Sequence, residues 1–185
     1  MARQRKILFT RESECIQPLR QLIERQTHRT LVAWALDCAA RPLAFFEERI
    51  PKEVRPREAM EISRLWARGE VKMPFARRAI LAAHRAAGEA GAIDPRAEAA
   101  ARAVGHACAT IHAETHALGL VFYWLSALFR SAEPEDADRK IQSELRFLTE
   151  RLLWWEQNPS EWDAPWAVFL RKDMPNKERL RHERE

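Results

Sequence analysis

Apolar side chains recur every three or four residues along most of this chain, which is the period of amphipathic helices. The clearest stripe runs through 134–156, where charged residues surround a line of apolar ones: Ile141, Leu145, Leu148, Leu152 and Trp155. No segment shows the strict alternation that is typical of a half-buried strand. The pattern therefore predicts an all-α protein, a single-domain bundle of about six helices.

Prolines and glycines mark where the predicted helices begin and end. Proline is favoured at the first helical position because its φ is preset and no intrahelical donor is lost. Pro56, Pro74, Pro95 and Pro134 each precede a helix-forming run, whereas Pro42 falls inside one and predicts a kink or break there. The predicted helices span about 10–26, 30–48, 56–68, 74–88, 95–130 and 134–156.

The segment 103–129 is the most apolar part of the chain, and Glu114 carries its only formal charge. Its second half, 117–129, is apolar on almost every side, as expected of a buried core helix or of a membrane span. That run is about half of the ~20 residues that a span needs. We therefore expect no membrane span, and we expect the predicted 95–130 helix to form the buried centre of the bundle.

The polar half of this segment carries three histidines: His106, His112 and His116. The last two are four residues apart, which is half of a helical metal site. In the zinc-protease motif H-E-x-x-H, a glutamate directly follows the first histidine. Here Glu114 comes two positions later, on the opposite side of a continuous helix, so the motif fails on geometry. A different metal site would draw further ligands from His106, His84 or Asp37.

The interpretation that we favour is a buried polar cluster that fixes how the helices pack. Gly105, Ala109 and Gly119 share the face of His112 and His116, which indicates that another helix packs closely there. Asp37 lies in an apolar run, where a charge is costly unless it is paired, so it is the predicted partner of a histidine. His84 would join this network or face solvent. The candidate cluster comprises Asp37, His84, His106, His112 and His116, and neither a catalytic residue nor a cofactor is predicted.

Composition places the chain among soluble globular proteins, with 46% hydrophobic and 31% charged residues over 185 positions. The net charge of +4 is concentrated at the ends. Residues 1–11 contain four basic and no acidic side chains, and residues 171–185 contain six basic and four acidic ones. The body, 12–170, therefore has a net charge of −2, so no nucleic-acid partner is expected.

The chain is expected to divide into a basic N-terminal arm (1–9), an all-helical domain (10–157) and a tail with a charged end (158–185). Trp162, Trp166 and Phe169 are expected to fasten the tail to the domain, the alternative being an exposed partner-binding segment. The three cysteines show no CxxC spacing, and the first ten residues lack the apolar core of a secretory signal. Both features favour a cytoplasmic location.

Several short motifs occur in order between about residues 30 and 130: WALDC at 34–38, RPR at 55–57, WARG at 66–69, ARR at 76–78, AAH at 82–84, GHA at 105–107, His112, HALG at 116–119 and Tyr123. Together they resemble the immunity proteins of bacterial polymorphic toxin systems, in the all-helical group labelled Imm, number five. The resemblance does not extend to the basic arm or to the segment after about residue 157.

The resemblance implies a small cytoplasmic protein that binds a cognate toxin domain and blocks it. It implies no catalytic residues and assigns no toxin-contact residues. The predicted function is therefore that of a non-enzymatic, toxin-binding immunity protein. The alternative is a helical metal-dependent enzyme, hydrolase-like in activity, that uses His106, His112 and His116.

Overall fold

A computed structural model describes residues 7–172 and 174–182, which are mostly helical and contain no strand. The prediction of an all-α domain is confirmed. Residues 1–6, which hold most of the predicted basic arm, lie outside the described residues. The helices are α1 (Gln17–Arg25), α2 (His28–Cys38), α3 (Ala40–Arg49), α4 (Arg55–Ala67), α5 (Met73–Ala90), α6 (Pro95–Ala109), α7 (Ala117–Ser131), α8 (Pro134–Gln157) and α9 (Lys177–His182).

The local start and stop signals act as their chemistry predicts. Each of the four helix-starting prolines occupies the first or second position of its helix, and the Asp94 side chain accepts a hydrogen bond from Arg96 N at 2.8 Å. Gly69 ends α4 with a φ of +81°, a left-handed conformation that favours glycine. The predicted 30–48 helix is divided at Ala39 into α2 and α3. Pro42 therefore lies in the first turn of α3 and not in the middle of a helix.

The predicted 95–130 helix is wrong as one continuous element, because the chain turns between α6 and α7. The Thr110 hydroxyl donates back to the His106 carbonyl at 3.1 Å, and the Thr110 carbonyl accepts from His28 Nε2 at 2.6 Å. Ala113 is extended, with a φ of −156°, and the 3₁₀ turn Glu114–His116 leads into α7. Two packed helices thus replace one long rod.

The resulting α6–α7 hairpin forms the centre of the fold. Helix α6 packs against α2, α3, α4, α5 and α7, and its many buried alanines allow these neighbours to approach closely. Helix α7 supplies the larger buried side chains, and Leu118, Leu120 and Leu125 have no exposed surface. Among the residues that the structure describes, no helix has the length and apolarity needed to cross a membrane.

Polar contacts tie α8 to the rest of the core. Asp37 of α2 accepts hydrogen bonds from Arg151 Nε at 2.8 Å and from Trp155 Nε1 at 2.9 Å. The expected pairing of Asp37 with a histidine is therefore replaced by a contact with α8, because its side of α2 faces that helix. The buried Glu144 of α8 accepts hydrogen bonds from Trp124 Nε1 and from Arg41 Nη2, each at 2.7 Å.

The segment after α8 runs back over the helical body. Ala167 N donates to the Ala67 carbonyl at 2.7 Å, and the Trp162 and Trp166 rings stack with centroids 4.3 Å apart. Further along, the Asn176 side chain donates to the Ile23 carbonyl at 2.8 Å. The hydrogen bonds of Ala167 and Asn176 thus hold the tail against the helical body at two points.

We expect Asp37→Ala to lower the free energy of unfolding by about 1 kcal/mol, because Arg151 and Trp155 lose their shared acceptor. Urea denaturation followed by circular dichroism measures the change. The matched control is Asp163→Ala, since Asp163 pairs with Arg68 but is 82% exposed and should shift stability by less than about 0.5 kcal/mol. Equal stability of the Asp37 variant and the wild type would contradict a structural role for this contact.

Candidate functional site

Four histidine rings form a row between α5, α6 and the turn that precedes α7. Successive ring centroids lie 5.3 Å apart for His84 and His106, 5.4 Å for His106 and His116, and 5.1 Å for His116 and His112. Each ring comes from a different local element: His84 from α5, His106 from α6, His116 from the 3₁₀ turn and His112 from the turn before it. We call these four residues the histidine row.

Two glycines provide the space that the row occupies. A Cβ atom at Gly105 would lie 2.6 Å from Cε1 of His84, and one at Gly119 would lie 2.5 Å from Cγ of His106. Both distances are far below ordinary van der Waals contact, so neither position accepts a side chain without moving a ring. Tyr123 completes the setting, stacked on the His106 ring at a centroid distance of 5.0 Å.

The protonation of the row follows from its contacts. Nδ1 of His106 and Nδ1 of His116 lie 3.3 Å apart, so one neutral ring donates its proton to the other. Two imidazolium rings would place two donors and two positive charges against each other. Nδ1 of His112 is buried and has no hydrogen-bond partner among the described residues.

Burial keeps these imidazoles neutral, since desolvation disfavours the charged form. It lowers the pKa of His106 to about 3, with further contributions from His84, His116 and Arg102. Burial likewise lowers the pKa of His112 to about 4, aided mainly by the neighbouring His116. The pKa values of His84 and His116 are lowered for the same first reason.

A cavity of about 550 Å³ opens beside one side of the row. Three histidines of the row, one arginine and four apolar side chains form its walls. The lining residues are Met73, Arg77, Ile80, Leu81, His84, Ala109, His112 and His116. The walls therefore present neutral imidazoles and one guanidinium to whatever enters. Such a lining suits a mostly apolar group with few polar atoms.

Glu114 is separate from the row and forms a second buried polar contact. It is 1% exposed, with Oε1 3.7 Å from His28 Nδ1 and Oε2 3.9 Å from Lys177 Nζ. Glu114 was expected on the far side of a continuous helix, but it lies in the 3₁₀ turn between α6 and α7. His28 and Lys177 were missed from the sequence, since neither is near Glu114 along the chain.

The structure brings together four of the five residues of the predicted cluster and leaves Asp37 outside it. His84, which was expected either to join the network or to face solvent, contacts His106 directly. Within the described residues, no group of three or more His, Cys, Asp or Glu side chains is placed to hold a metal ion. Of the three metal candidates, His116 contacts His106 on one side and His112 on the other.

The cavity walls contributed by α5 were not predicted, although the sequence carries a signal for them. Met73, Arg77, Ile80 and His84 follow one another at intervals of four, three and four residues, which places them on one face of a helix. Because His84 lies on this face, the spacing indicates that the face is turned toward the other histidines.

Comparison with known protein families gives a match. A family model described as "Imm-5 like putative immunity protein" matches residues 21–151, more than two thirds of the chain. The chain belongs to this immunity protein family. The resemblance seen in the sequence motifs is thereby confirmed. A search of curated proteins found no match, and a search of solved structures found none either.

The family match covers the whole histidine row but only part of the described fold. It begins within α1 and ends within α8, so the stacked Trp162–Trp166 pair and α9 lie beyond it. The histidine row and the α6–α7 hairpin therefore both lie within the residues that match the family.

We expect Gly119→Ala and Gly105→Ala each to lower the free energy of unfolding by about 2 kcal/mol, because the new methyl group displaces a histidine ring. Gly88→Ala is the control: nothing lies within 4 Å of its Cβ position, and removing a helical glycine should add about 0.5–1 kcal/mol. Chemical denaturation of the three variants measures these shifts. Unchanged stability of Gly119→Ala would mean that the His106 ring does not pack there.

Stability should fall as the pH is lowered from 7 to 5, because unfolded histidines titrate near pH 6.5 whereas the row stays neutral. Since the folded pKa of His106 is about 3, that residue alone should remove about 2 kcal/mol between these pH values. Urea unfolding at both pH values tests this. In His106→Gln the pH-dependent loss should be smaller by a similar amount, and an undiminished loss would contradict burial of the neutral ring.

Proposed function

We propose that this chain is a non-enzymatic immunity protein of a bacterial polymorphic toxin system. In this proposal it acts in the cytoplasm, where it binds a cognate toxin domain and blocks it. The observation that carries the proposal is membership of the immunity family over residues 21–151. Immunity by binding requires a stable, preformed surface rather than a set of reacting groups.

The environment of the histidine row supports binding over catalysis. The rings contact each other, Tyr123 and the glycine positions, and these packing contacts account for the presence of His84 and His106. A pKa of about 3 for His106 leaves little general-base strength at neutral pH. The row therefore acts as part of the scaffold that holds α5, α6 and α7 in one arrangement.

Co-expression tests this function directly. The toxin domain encoded by the neighbouring gene should stop growth when it is produced alone, and production of this protein should restore growth. The two purified proteins should also form a complex in size-exclusion chromatography. If growth arrest persists in the presence of the folded protein, or if no complex forms, the proposed function is wrong.

A further inference from the structure

The outward face of α5 carries large apolar and basic side chains side by side. Phe75, Arg78, Leu81 and Arg85 follow one another at intervals of three, three and four residues, so they share one side of the helix. All four are exposed, including 45% of Phe75 and 46% of Leu81. Helices α4 and α6 pack against the other sides of α5.

The arginines of this helix differ from most others in the fold. Arg55, Arg57, Arg96 and Arg102 each bind a carboxylate: Glu53, Glu47, Asp94 and Glu98 respectively. By contrast, no ion pair within the described residues involves Arg77, Arg78 or Arg85, although the charge of Arg85 helps to lower the pKa of Glu89 on the same helix. Arg78 packs over the Phe75 ring at 5.7 Å. Three guanidinium groups are thus available to an external acid.

The cavity beside the histidine row opens next to this face. Arg77 and Leu81 belong to its walls, and its volume of about 550 Å³ is large enough for an aromatic or long aliphatic side chain. The surrounding walls combine aliphatic groups with the neutral rings of His84 and His112. One arginine, Arg77, therefore lines the cavity, and Leu81 connects the cavity with the exposed face that carries Arg78 and Arg85.

We propose that the outer face of α5, together with this cavity, is the surface that contacts the toxin. The partner that fits it is a protein with an acidic patch around one large apolar side chain, which enters the cavity while carboxylates pair with Arg77, Arg78 and Arg85. This inference rests on the proposed function. Arginine beside a buried apolar anchor is a frequent arrangement at the centre of protein interfaces.

A protein partner fits this face better than a nucleic acid does. Nucleic-acid surfaces are polar and are bound largely through phosphate contacts, which would leave Phe75, Leu81 and the cavity unused. The groove formed by Leu8, Ile93 and Phe129 is a weaker candidate for an acidic partner, because its Arg49 and Arg96 already face Asp94 at 3.6 and 2.9 Å.

The test is isothermal titration calorimetry of the toxin domain encoded by the neighbouring gene against the full-length protein. We expect Arg78→Glu with Arg85→Glu to weaken binding at least about tenfold, because like charges then face the acidic patch. Leu81→Asp should weaken it by a similar factor, because it places a charge at the mouth of the cavity. Co-expression with either variant should restore growth less than the wild type does.

The control is Lys140→Glu with Arg146→Glu on α8, which changes the net charge equally. Both residues are exposed, and α8 packs on α1, α2 and α7. This variant should bind within about twofold of the wild type, since long-range charge effects are screened at physiological salt. Thermal melts establish that each variant is folded, and Arg78→Ala and Arg85→Ala replace the double reversal if that variant is unfolded.

These experiments distinguish failure of the α5 surface from failure of the immunity function. If the wild type binds and protects but the α5 variants do so equally well, the toxin binds elsewhere and the immunity function stands. If the wild type itself neither binds nor protects, the proposed function fails. If the wild type binds a 20-base-pair DNA duplex and the α5 reversals abolish that binding, this face recognises phosphates and the proposal is overturned.

Discussion

The packing of the His106 ring against the backbone of α7 at Gly119 is the constraint on which the core depends. On one continuous helix these residues, 13 positions apart, would be separated by about 20 Å at 1.5 Å per residue. They are in contact because the chain turns at 110–116 and brings α7 back along α6. The close approach requires glycine at 119 and neutral imidazole at 106. Helix α6, held this way, then contacts five other helices.

Neutrality is the chemical condition for that packing. Four half-buried imidazoles whose successive centroids lie 5.1 to 5.4 Å apart cannot all be charged, because burial and the neighbouring charges both disfavour protonation. The structure places Arg102 and Arg77 near them, and their positive charges also disfavour protonation of the rings. A carboxylate partner for a histidine, as was expected from Asp37, would favour the charged form instead. The same burial that lowers the pKa values thus makes the row an uncharged element of the core.

Local signals in the sequence were sufficient for much of this fold, whereas long-range contacts were not. Prolines, glycines and the 3.6-residue period predicted helices because caps and amphipathic stripes depend on neighbours along the chain. The break after Ala109 was missed because it depends on the Thr110 carbonyl meeting His28, 82 positions away. The partner of Asp37 was missed for the same reason, since Arg151 is 114 positions distant. The first error concerns where a helix ends, and the second concerns which neighbour a correctly predicted helix faces.

The histidine row also connects the core to the surface of α5. His84 contacts His106 on one side and contributes to the cavity wall on the other, while Gly105 of α6 accommodates its ring. The position of α5 relative to α6 is therefore set by the same rings that must remain neutral. An interface built on α5 would gain a rigid cavity and fixed arginine spacing from this arrangement, and rigidity reduces the ordering that binding requires. In this way the half-buried histidine row determines the shape of the α5 surface on which we place the partner.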